Sequence, residues 1–203
     1  MALAVGSTAL NSLDSMLLEK SFFARPACEV APDLLGCTLV RRIEGQEYRG
    51  LIVETEAYDA NDPACHGYRR KTERNKAIFG EPSSIYVYLI YGLYHCVNVV
   101  TDRADFCSAV LIRAIECDRL PSWYNPKDKP HRAGAGPGKL CNLFKIDRQL
   151  DGITLDKSFD LWIEGRATSF DESIFQTTRI GITQGVEIPW RWYLSDRKSV
   201  SRK

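Results

Sequence analysis

The sequence has almost no net charge, which limits the ways in which it could bind other molecules. Its 27 lysines and arginines are balanced by 26 aspartates and glutamates, leaving a formal net charge of +1. This balance excludes the global basic field that is typical of many nucleic-acid-binding proteins. Any contact with phosphate groups must therefore come from a local patch of basic residues.

The chain also lacks the cysteine spacing that is typical of zinc sites. Its seven cysteines never form a C-x-x-C pair, and their odd number and apolar surroundings favour reduced thiols that pack as small hydrophobic groups. One alternative stays open, a zinc site built from Cys65, His66, His95 and Cys96. Adjacent Cys-His pairs do not have the usual ligand spacing, however, so we predict no metal site.

Long apolar runs are missing as well. No segment approaches the roughly 20 apolar residues that span a bilayer, so we expect no membrane partner. The first residues, MALAVGSTALNSLDSM, lack the positive start of a signal peptide. We therefore predict that residues 1–18 form a disordered lead-in, that residues 19–203 form the folded domain, and that the protein is not secreted.

Segments rich in β-branched and aromatic residues dominate the first half of the chain, and they predict a largely antiparallel sheet. These segments are CTLVRRI, EYRGLIVETEAY, SIYVYLIYG, YHCVNVVT and SAVLIRAIE. Shorter strands are predicted at 161–163, 179–183 and 191–194, and helices at 27–35 and 139–144. The predicted fold class is α+β, a single domain in which helices flank a curved, open-barrel-like sheet.

Two carboxylates in the segment LIVETEAYDANDPACH are candidates for acid–base chemistry. Strand alternation places Glu54, Glu56 and Tyr58 on one face, with the two glutamate Cα atoms about 6 to 7 Å apart. If this face lines a cleft, repulsion and desolvation would favour protonating one of the carboxylates. The alternative is a solvated strand face that pairs with Arg41 and Arg42.

A basic cluster, HGYRRKTERNK, follows these carboxylates. Charge runs are most often solvated loops. Next to a strand rich in tyrosine, however, such a cluster is typical of a phosphate clamp, because stacking surfaces and cations together bind nucleic acids. The candidate backbone contacts are Arg69, Arg70, Lys71, Arg74 and, from the later GPGKLC segment, Lys139.

Three further positions stand out in the strands that follow. Tyr88 shares a strand face with Tyr86, whereas Tyr91 has the opposite parity and precedes Gly92, where it could project as a wedge. Arg113 lies in an apolar strand, so it needs a buried partner or a cleft; a structural salt bridge and the orientation of a carboxylate are both open. For Asn98 two roles are open: a hydrogen bond to a backbone group, or a place in the lining of a pocket.

Taken together, these segments resemble the alkyladenine (3-methyladenine) DNA glycosylase family from about Phe22 to the C-terminus. The strongest matches are LLGCTLVRR, GLIVETEAY, IYVYLIYGLYHCVNVV, VLIRAIE and GPGKLC, in the family's order. The loop HGYRRKTERN and the turn EPSS depart from the family's glycine-rich pattern. That departure leaves the loop geometry, and with it the range of damaged bases, open.

The resemblance implies a role for each candidate residue. Glu56 corresponds to the general base and Arg113 to the arginine that helps it hold a water. Base-pocket residues would be Tyr58, His66, Tyr88, Asn98 and Ile180, the last through its backbone carbonyl. Tyr91 corresponds to the residue that fills the gap left by the flipped nucleotide.

The implied function is DNA repair. Residues 19–203 would form a glycosylase domain that flips alkylated purines out of duplex DNA and hydrolyses the N-glycosidic bond, leaving an abasic site for base excision repair. Expected substrates are 3-methyladenine and 7-methylguanine, with hypoxanthine as a further candidate. No lysine lies in the matched catalytic segment, so we expect a monofunctional enzyme without lyase activity.

The resemblance also sets expectations for partners and location. We expect a monomer that needs no cofactor and acts on double-stranded DNA containing alkylated or deaminated purines. It would lie in the cytoplasm near the nucleoid of a bacterium, or in the nucleus or an organelle of a eukaryote. Two alternatives are a nonenzymatic module that binds damaged DNA, and a nucleoside or sugar hydrolase that uses Glu54 and Glu56 as a pair.

Overall fold

An antiparallel sheet of eight strands makes up most of the folded chain, and with its helices it confirms the predicted α+β class. The computed structural model describes residues 17–124, 129–166 and 170–203. The strands are β1 (Thr38–Ile43), β2 (Gln46–Asp59), β3 (Ile85–Ile90), β4 (Tyr94–Val100), β5 (Ser108–Cys117), β6 (Leu161–Glu164), β7 (Ile174–Thr177) and β8 (Arg191–Leu194). The α-helices are α1 (Lys20–Phe23), α2 (Ala27–Asp33) and α3 (Pro137–Leu143).

The sheet is open, with β3 at one edge and β6 at the other. Its strand order is β3-β4-β5-β2-β1-β6, and β8 adds to β2 and also pairs with β7. Short 3₁₀ turns lie at Lys76–Phe79, Pro130–Arg132, Arg148–Leu150 and Lys157–Phe159. Among the described residues, none of the helices is long and apolar enough to cross a bilayer.

Local sequence signals explain several element ends. Pro26 caps the start of α2, and Gly36 follows its end with a φ of +82°, a conformation that favours glycine. Tyr91 and Gly92 both have positive φ, which is the geometry of a tight hairpin turn between β3 and β4. Residues 1–16 of the predicted lead-in lie outside the described residues, while the Leu18 N–H donates to the Ile163 carbonyl at 2.9 Å.

The predicted strand at 179–183 is wrong. The nearest strand is β7, which ends at Thr177. Arg179 turns inward to a buried ion pair with Asp62, and Gly181 has a φ of +79°. The Ile180 N–H donates to the Glu56 side chain and its carbonyl accepts from Arg113, so neither group is available to a neighbouring strand.

An irregularity in the pairing of β2 with β5 lies at the centre of the sheet. Ile52 pairs with Ile115 and Thr55 with Ile112, so Val53 and Arg113 fall at shifts in the register. Such bulges re-aim side chains and are frequent next to active sites. Here the bulge brings the Arg113 guanidinium into contact with Glu54 and Glu56 on the neighbouring strand.

The core fills the space between the sheet and α2. Ile52, Ile112 and Ile115 of the two central strands are completely or almost completely buried. The Thr55 hydroxyl, also buried, donates to the Ala31 carbonyl of α2 at 2.8 Å. This packing fixes β2 and β5, the strands that carry the buried carboxylates and arginine.

Replacement of a central core residue should test this arrangement. Ile112→Ala removes a fully buried side chain, and we expect it to lower the free energy of unfolding by about 2 to 5 kcal/mol. The same substitution at Ile174, which is 41% exposed on β7, should cost less than about 1 kcal/mol. Urea denaturation measures both values, and equal losses would contradict the assignment of β5 to the core.

Candidate active site

A cavity of about 790 Å³ opens beside the β3–β4 hairpin. Its walls come from the end of β2, the loop after it, strands β3 to β5 and the segment after β7, and its size is typical of a small-ligand site. Most of the predicted site residues line it: Tyr58, His66, Arg69, Arg74, Tyr88, Tyr91, Asn98, Arg113 and Ile180. The fold thus brings together residues that are up to 122 positions apart.

Glu56 lies directly behind the wall of this cavity, with no exposed surface. Its Oε2 accepts hydrogen bonds from the Tyr58 hydroxyl at 2.8 Å and from Arg113 Nη1 at 3.1 Å. Its Oε1 accepts from the backbone N–H of Ile180 at 2.7 Å. All three donors belong to residues that line the cavity. Each of these hydrogen bonds therefore joins the carboxylate to the cavity wall.

Glu54 has a different environment although it is only two positions away. Its Oε1 accepts from Arg113 Nε at 3.2 Å, from Arg191 Nε at 2.7 Å and from the Ser201 hydroxyl at 3.0 Å. Its Oε2 accepts from the Ser201 backbone N–H at 2.7 Å. Four donors, two of them from arginines, thus occupy the two carboxylate oxygens of Glu54, which leaves them little room for a further ligand.

Arg113 joins the two carboxylates, and its environment decides between the two interpretations of the strand face. Burial disfavours its charge, but Glu56 and Glu54 outweigh that cost and raise the pKa of the Arg113 guanidinium. Arg41 instead donates to the Asp160 carbonyl, and Arg42 pairs with Glu47 and Asp160. The alternative of a solvated face that pairs with these two arginines is therefore wrong.

Tyr58 is held as a hydrogen-bond donor by its surroundings. Burial raises the pKa of its hydroxyl well above the usual range, and the negative charge of Glu56 raises it further. On one face, the Arg179 guanidinium lies 4.7 Å from the centre of the ring. Arg179 does not line the cavity, so the cation supports the tyrosine from behind.

An ion pair with Asp62, which could not be predicted from the sequence, holds the Arg179 guanidinium in its position over the Tyr58 ring. Arg179 binds both carboxylate oxygens of Asp62, and it also donates to the carbonyls of Ala57 at 3.0 Å and Gly185 at 3.2 Å. Both side chains of the pair are fully buried. Because 117 positions separate Arg179 from Asp62, local sequence patterns could not have paired them.

Aromatic rings form the opposite wall. His66 and Tyr88 meet edge to face with their centres 4.5 Å apart, while Tyr86 and Tyr88 stack at 5.5 Å. His66 Nδ1 and the hydroxyl of the buried Tyr86 are 2.9 Å apart. Tyr86 therefore acts as the partner that orients His66.

The electrostatics of this wall favour an uncharged histidine. His66 is open to the cavity on part of its surface, yet desolvation by the surrounding protein lowers its pKa, and the nearby Arg74 lowers it further. Burial, followed by the neighbouring Cys96, raises the pKa of Tyr88 well above the usual range. Asn98 combines both predicted roles, since it lines the cavity and its Nδ2 donates to the Tyr86 carbonyl at 3.1 Å.

The rim of the cavity is exposed and partly basic. Tyr91 is 83% exposed at the tip of the β3–β4 hairpin, followed closely by the exposed Leu93. Lys71 pairs with Asp105 at 2.8 Å and lies over the Phe79 ring. Arg70 is exposed on the same loop, whereas Lys139 is partly buried in α3.

The zinc alternative finds no support in the placement of its four residues. The Cys65 sulfur contacts Cys107, and Cys96 lies opposite Tyr88 in the β3–β4 pairing. Across residues 17–124, 129–166 and 170–203, no three histidine, cysteine or acidic side chains converge as a metal site would require.

Comparisons with known proteins point to one family. The family model for methylpurine-DNA glycosylase matches residues 21–198. A relative from Synechococcus elongatus is 54% identical over 181 residues, covering 89% of this chain and 88% of its own length. One from Trichodesmium erythraeum is 50% identical over 196 residues (92% and 98%), and one from Clostridium botulinum is 43% identical over 204 residues (93% and 100%). All three carry the name "Putative 3-methyladenine DNA glycosylase".

The different environments of the two carboxylates predict different costs of removing their charge. We expect Glu54→Gln to lower the free energy of unfolding by about 3 to 5 kcal/mol, because it takes the carboxylate away from both buried arginines. Glu56→Gln should lower the free energy of unfolding by about 2 kcal/mol, because Arg113 and Arg191 both remain paired with Glu54. Urea denaturation compares them, with the exposed Glu81→Gln as the control at under about 1 kcal/mol. A larger loss of stability in Glu56→Gln than in Glu54→Gln would contradict the assignment of the structural role to Glu54.

The lowered pKa of His66 should depend on Arg74. Arg74→Ala removes a repulsive positive charge, so the pKa of His66 should rise toward its ordinary value of 6.5. NMR titration of the imidazole protons measures this shift, and Arg69→Ala on the same rim should change it less. Because the folded state binds fewer protons at His66 than the unfolded chain, His66 should also destabilise the fold as the pH falls below 6.5.

Proposed function

The chain belongs to the methylpurine-DNA glycosylase family, and from that premise we propose that it removes alkylated purines from duplex DNA by hydrolysing the N-glycosidic bond. The observation that carries this proposal is the arrangement around Glu56. A buried carboxylate is bonded to three residues of the cavity wall, Tyr58, Arg113 and Ile180. The cavity itself has the size and the aromatic walls that suit a purine.

Recognition of the damaged base would come from the aromatic walls. We propose that the base enters between Tyr58 on one side and His66 with Tyr88 on the other. N3- and N7-methylated purines are cationic, and a cation over a tyrosine ring gains about 0.5 to 2 kcal/mol. An uncharged His66 adds no repulsion, so its lowered pKa supports this selectivity.

A base inside the duplex can reach this cavity only if its nucleotide rotates outward, at a cost of a few kcal/mol. We propose that Tyr91 fills the gap that the nucleotide leaves. Its exposed position at a hairpin tip beside the cavity supports this role. The DNA backbone would contact the basic rim, with Arg69, Arg70, Lys71, Arg74 and Lys139 as the candidate residues.

Hydrolysis would take place where Glu56 meets the cavity. In the proposed reaction, Glu56 accepts a proton from a water that attacks the anomeric carbon, and its charge stabilises the oxocarbenium-like transition state. The Ile180 carbonyl, which accepts a long 3.5 Å hydrogen bond from Arg113 Nη1, would help to hold the water. The products are the free base and an abasic site.

Two features of the cavity refine this proposal: Asn98 is one of its lining residues, and no lysine is among the described residues that line it. We propose that the buried Asn98 amide, fixed by the Tyr86 carbonyl, meets the base edge and disfavours the exocyclic amine of unmodified guanine. The proposed substrates are 3-methyladenine and 7-methylguanine, with hypoxanthine as a further candidate. We propose that the enzyme is monofunctional, because hydrolysis by a carboxylate and water forms no Schiff base with the sugar. The DNA strand would then stay intact at the abasic site.

The decisive test is Glu56→Gln. With duplex DNA treated with a methylating agent, the wild type should release 3-methyladenine, and the variant should lose at least about 100-fold in the rate of base release. Binding of the same DNA should survive, because Glu56 is not on the surface. Product strands should break only after alkali treatment.

Two other outcomes would contradict the proposal. If the wild type binds the DNA but releases no base, the chain is a recognition module without hydrolysis. If it instead cleaves free nucleosides without benefit from duplex DNA, it is a nucleoside hydrolase, although the four donors that occupy Glu54 oppose a paired-carboxylate mechanism.

A further inference from the structure

Two cysteines at the cavity, one in its wall and one behind it, have no role in the proposed hydrolysis. Cys65 lies in the loop after β2, and Cys107 immediately precedes β5, 42 positions later. Their sulfur atoms are 2.9 Å apart, and both residues are buried. A disulfide has a sulfur–sulfur distance of about 2.05 Å, so closure requires a movement of about 0.9 Å.

The surrounding chain holds the two sulfurs in this position. A Cβ atom at Gly67 would lie 2.2 Å from the Cys107 sulfur and 2.8 Å from the Phe79 ring. The Cys107 side chain therefore occupies the space that a larger residue at position 67 would need. Cys65 is held in turn by the bond from its N–H to the Asp62 carbonyl at 2.8 Å.

A small molecule can reach this pair through the cavity. Cys65 is one of the residues that line the cavity, next to His66 in sequence, while Cys107 lies behind it. Access from the cavity therefore defines an order of reaction, in which an incoming reagent meets Cys65 first.

The hydrogen bond between the thiols favours the same order. Donation from Cys107 lowers the pKa of Cys65, although burial opposes this, and the same bond raises the pKa of Cys107 well above the usual range. The thiolate is the form of cysteine that attacks a disulfide. The access from the cavity and this bond both favour Cys65 as the attacking residue and Cys107 as the resolving one.

We propose that Cys65 and Cys107 form a reversible modification site that reacts with small-molecule disulfides. The Cys65 thiolate attacks one sulfur of the reagent, which forms a mixed disulfide and expels one thiolate. Cys107 then loses its proton to solvent and attacks the Cys65 sulfur, which expels the second thiolate. One reagent disulfide is reduced to two thiols while the protein dithiol is oxidised to one disulfide.

Oxidised glutathione is the probe for this site. After treatment of the folded full chain, intact-protein mass spectrometry should show the loss of two hydrogen atoms, and peptide mapping should find Cys65 linked to Cys107. Dithiothreitol should restore the original mass. The oxidised form should also melt at a higher temperature, because the link closes a 42-residue loop of the unfolded chain.

Single replacements separate the two cysteines. Cys107→Ser should trap glutathione on Cys65, whereas Cys65→Ser should leave Cys107 unmodified. Cys117→Ser, at a half-buried cysteine on β5, is the matched control and should still form the link. These measurements on the protein itself do not depend on base release, so their failure would leave the proposed glycosylase activity untouched.

Two results would overturn the proposal. Wild-type protein whose mass does not change under oxidation has no reactive pair. Glutathione adducts on other cysteines, without the Cys65–Cys107 peptide, would mean that the contact does not lead to a bond. Since both results are read from the wild type, they hold even if a variant fails to fold.

Discussion

The buried contact of Arg113 with two carboxylates is the constraint on which the rest of the site depends. Charges in a protein interior are tolerated only when they are paired and hydrogen-bonded. Arg113 and Arg191 balance Glu54 and Glu56, and all four residues lie on strands β2, β5 and β8. The strands must therefore meet in one register, and the bulge at Arg113 is what allows its side chain to reach both carboxylates. The buried ion pairs thus fix the register of β2, β5 and β8 next to the cavity.

Glu54 and Glu56 both pair with Arg113, but their roles differ because their other hydrogen-bond partners differ. Glu54 is bonded to Ser201 near the C-terminus and to Arg191, so it connects the end of the chain to the centre of the sheet. The remaining partners of Glu56 face the cavity. Two identical side chains, separated by one residue, therefore act as a structural anchor and as the candidate base. Stability and chemistry share Arg113, and a substitution there would disturb both.

Much of this could be predicted from sequence, and the exceptions have a common cause. The strands from Thr38 to Cys117 follow from their β-branched and aromatic residues, and the hairpin at Tyr91 follows from the adjacent glycine. Glu54 and Glu56 could be singled out as a pair because strand alternation places them on one face, and Arg113 because an ionisable residue in an apolar strand requires a partner. Only the family resemblance separated Glu56 from Glu54. The bulge, the Arg179–Asp62 pair and the loop at 179–183 could not be predicted. Each depends on contacts between distant segments, whereas periodicity reports only on local structure.

The tyrosines show why this cavity is built from polar aromatic residues rather than from phenylalanine. The hydroxyl of Tyr58 bonds to Glu56, and the hydroxyl of Tyr86 bonds to the His66 ring. Each ring can therefore present an apolar face to a ligand while its hydroxyl fixes a neighbouring group. Tyr91 is the contrast, because its ring lies exposed at the hairpin tip. A hydrogen-bonded aromatic wall and an exposed tip are the two properties that the proposed extrusion of a base would require, since the pocket would have to exclude poorly fitting bases while the tip entered the duplex.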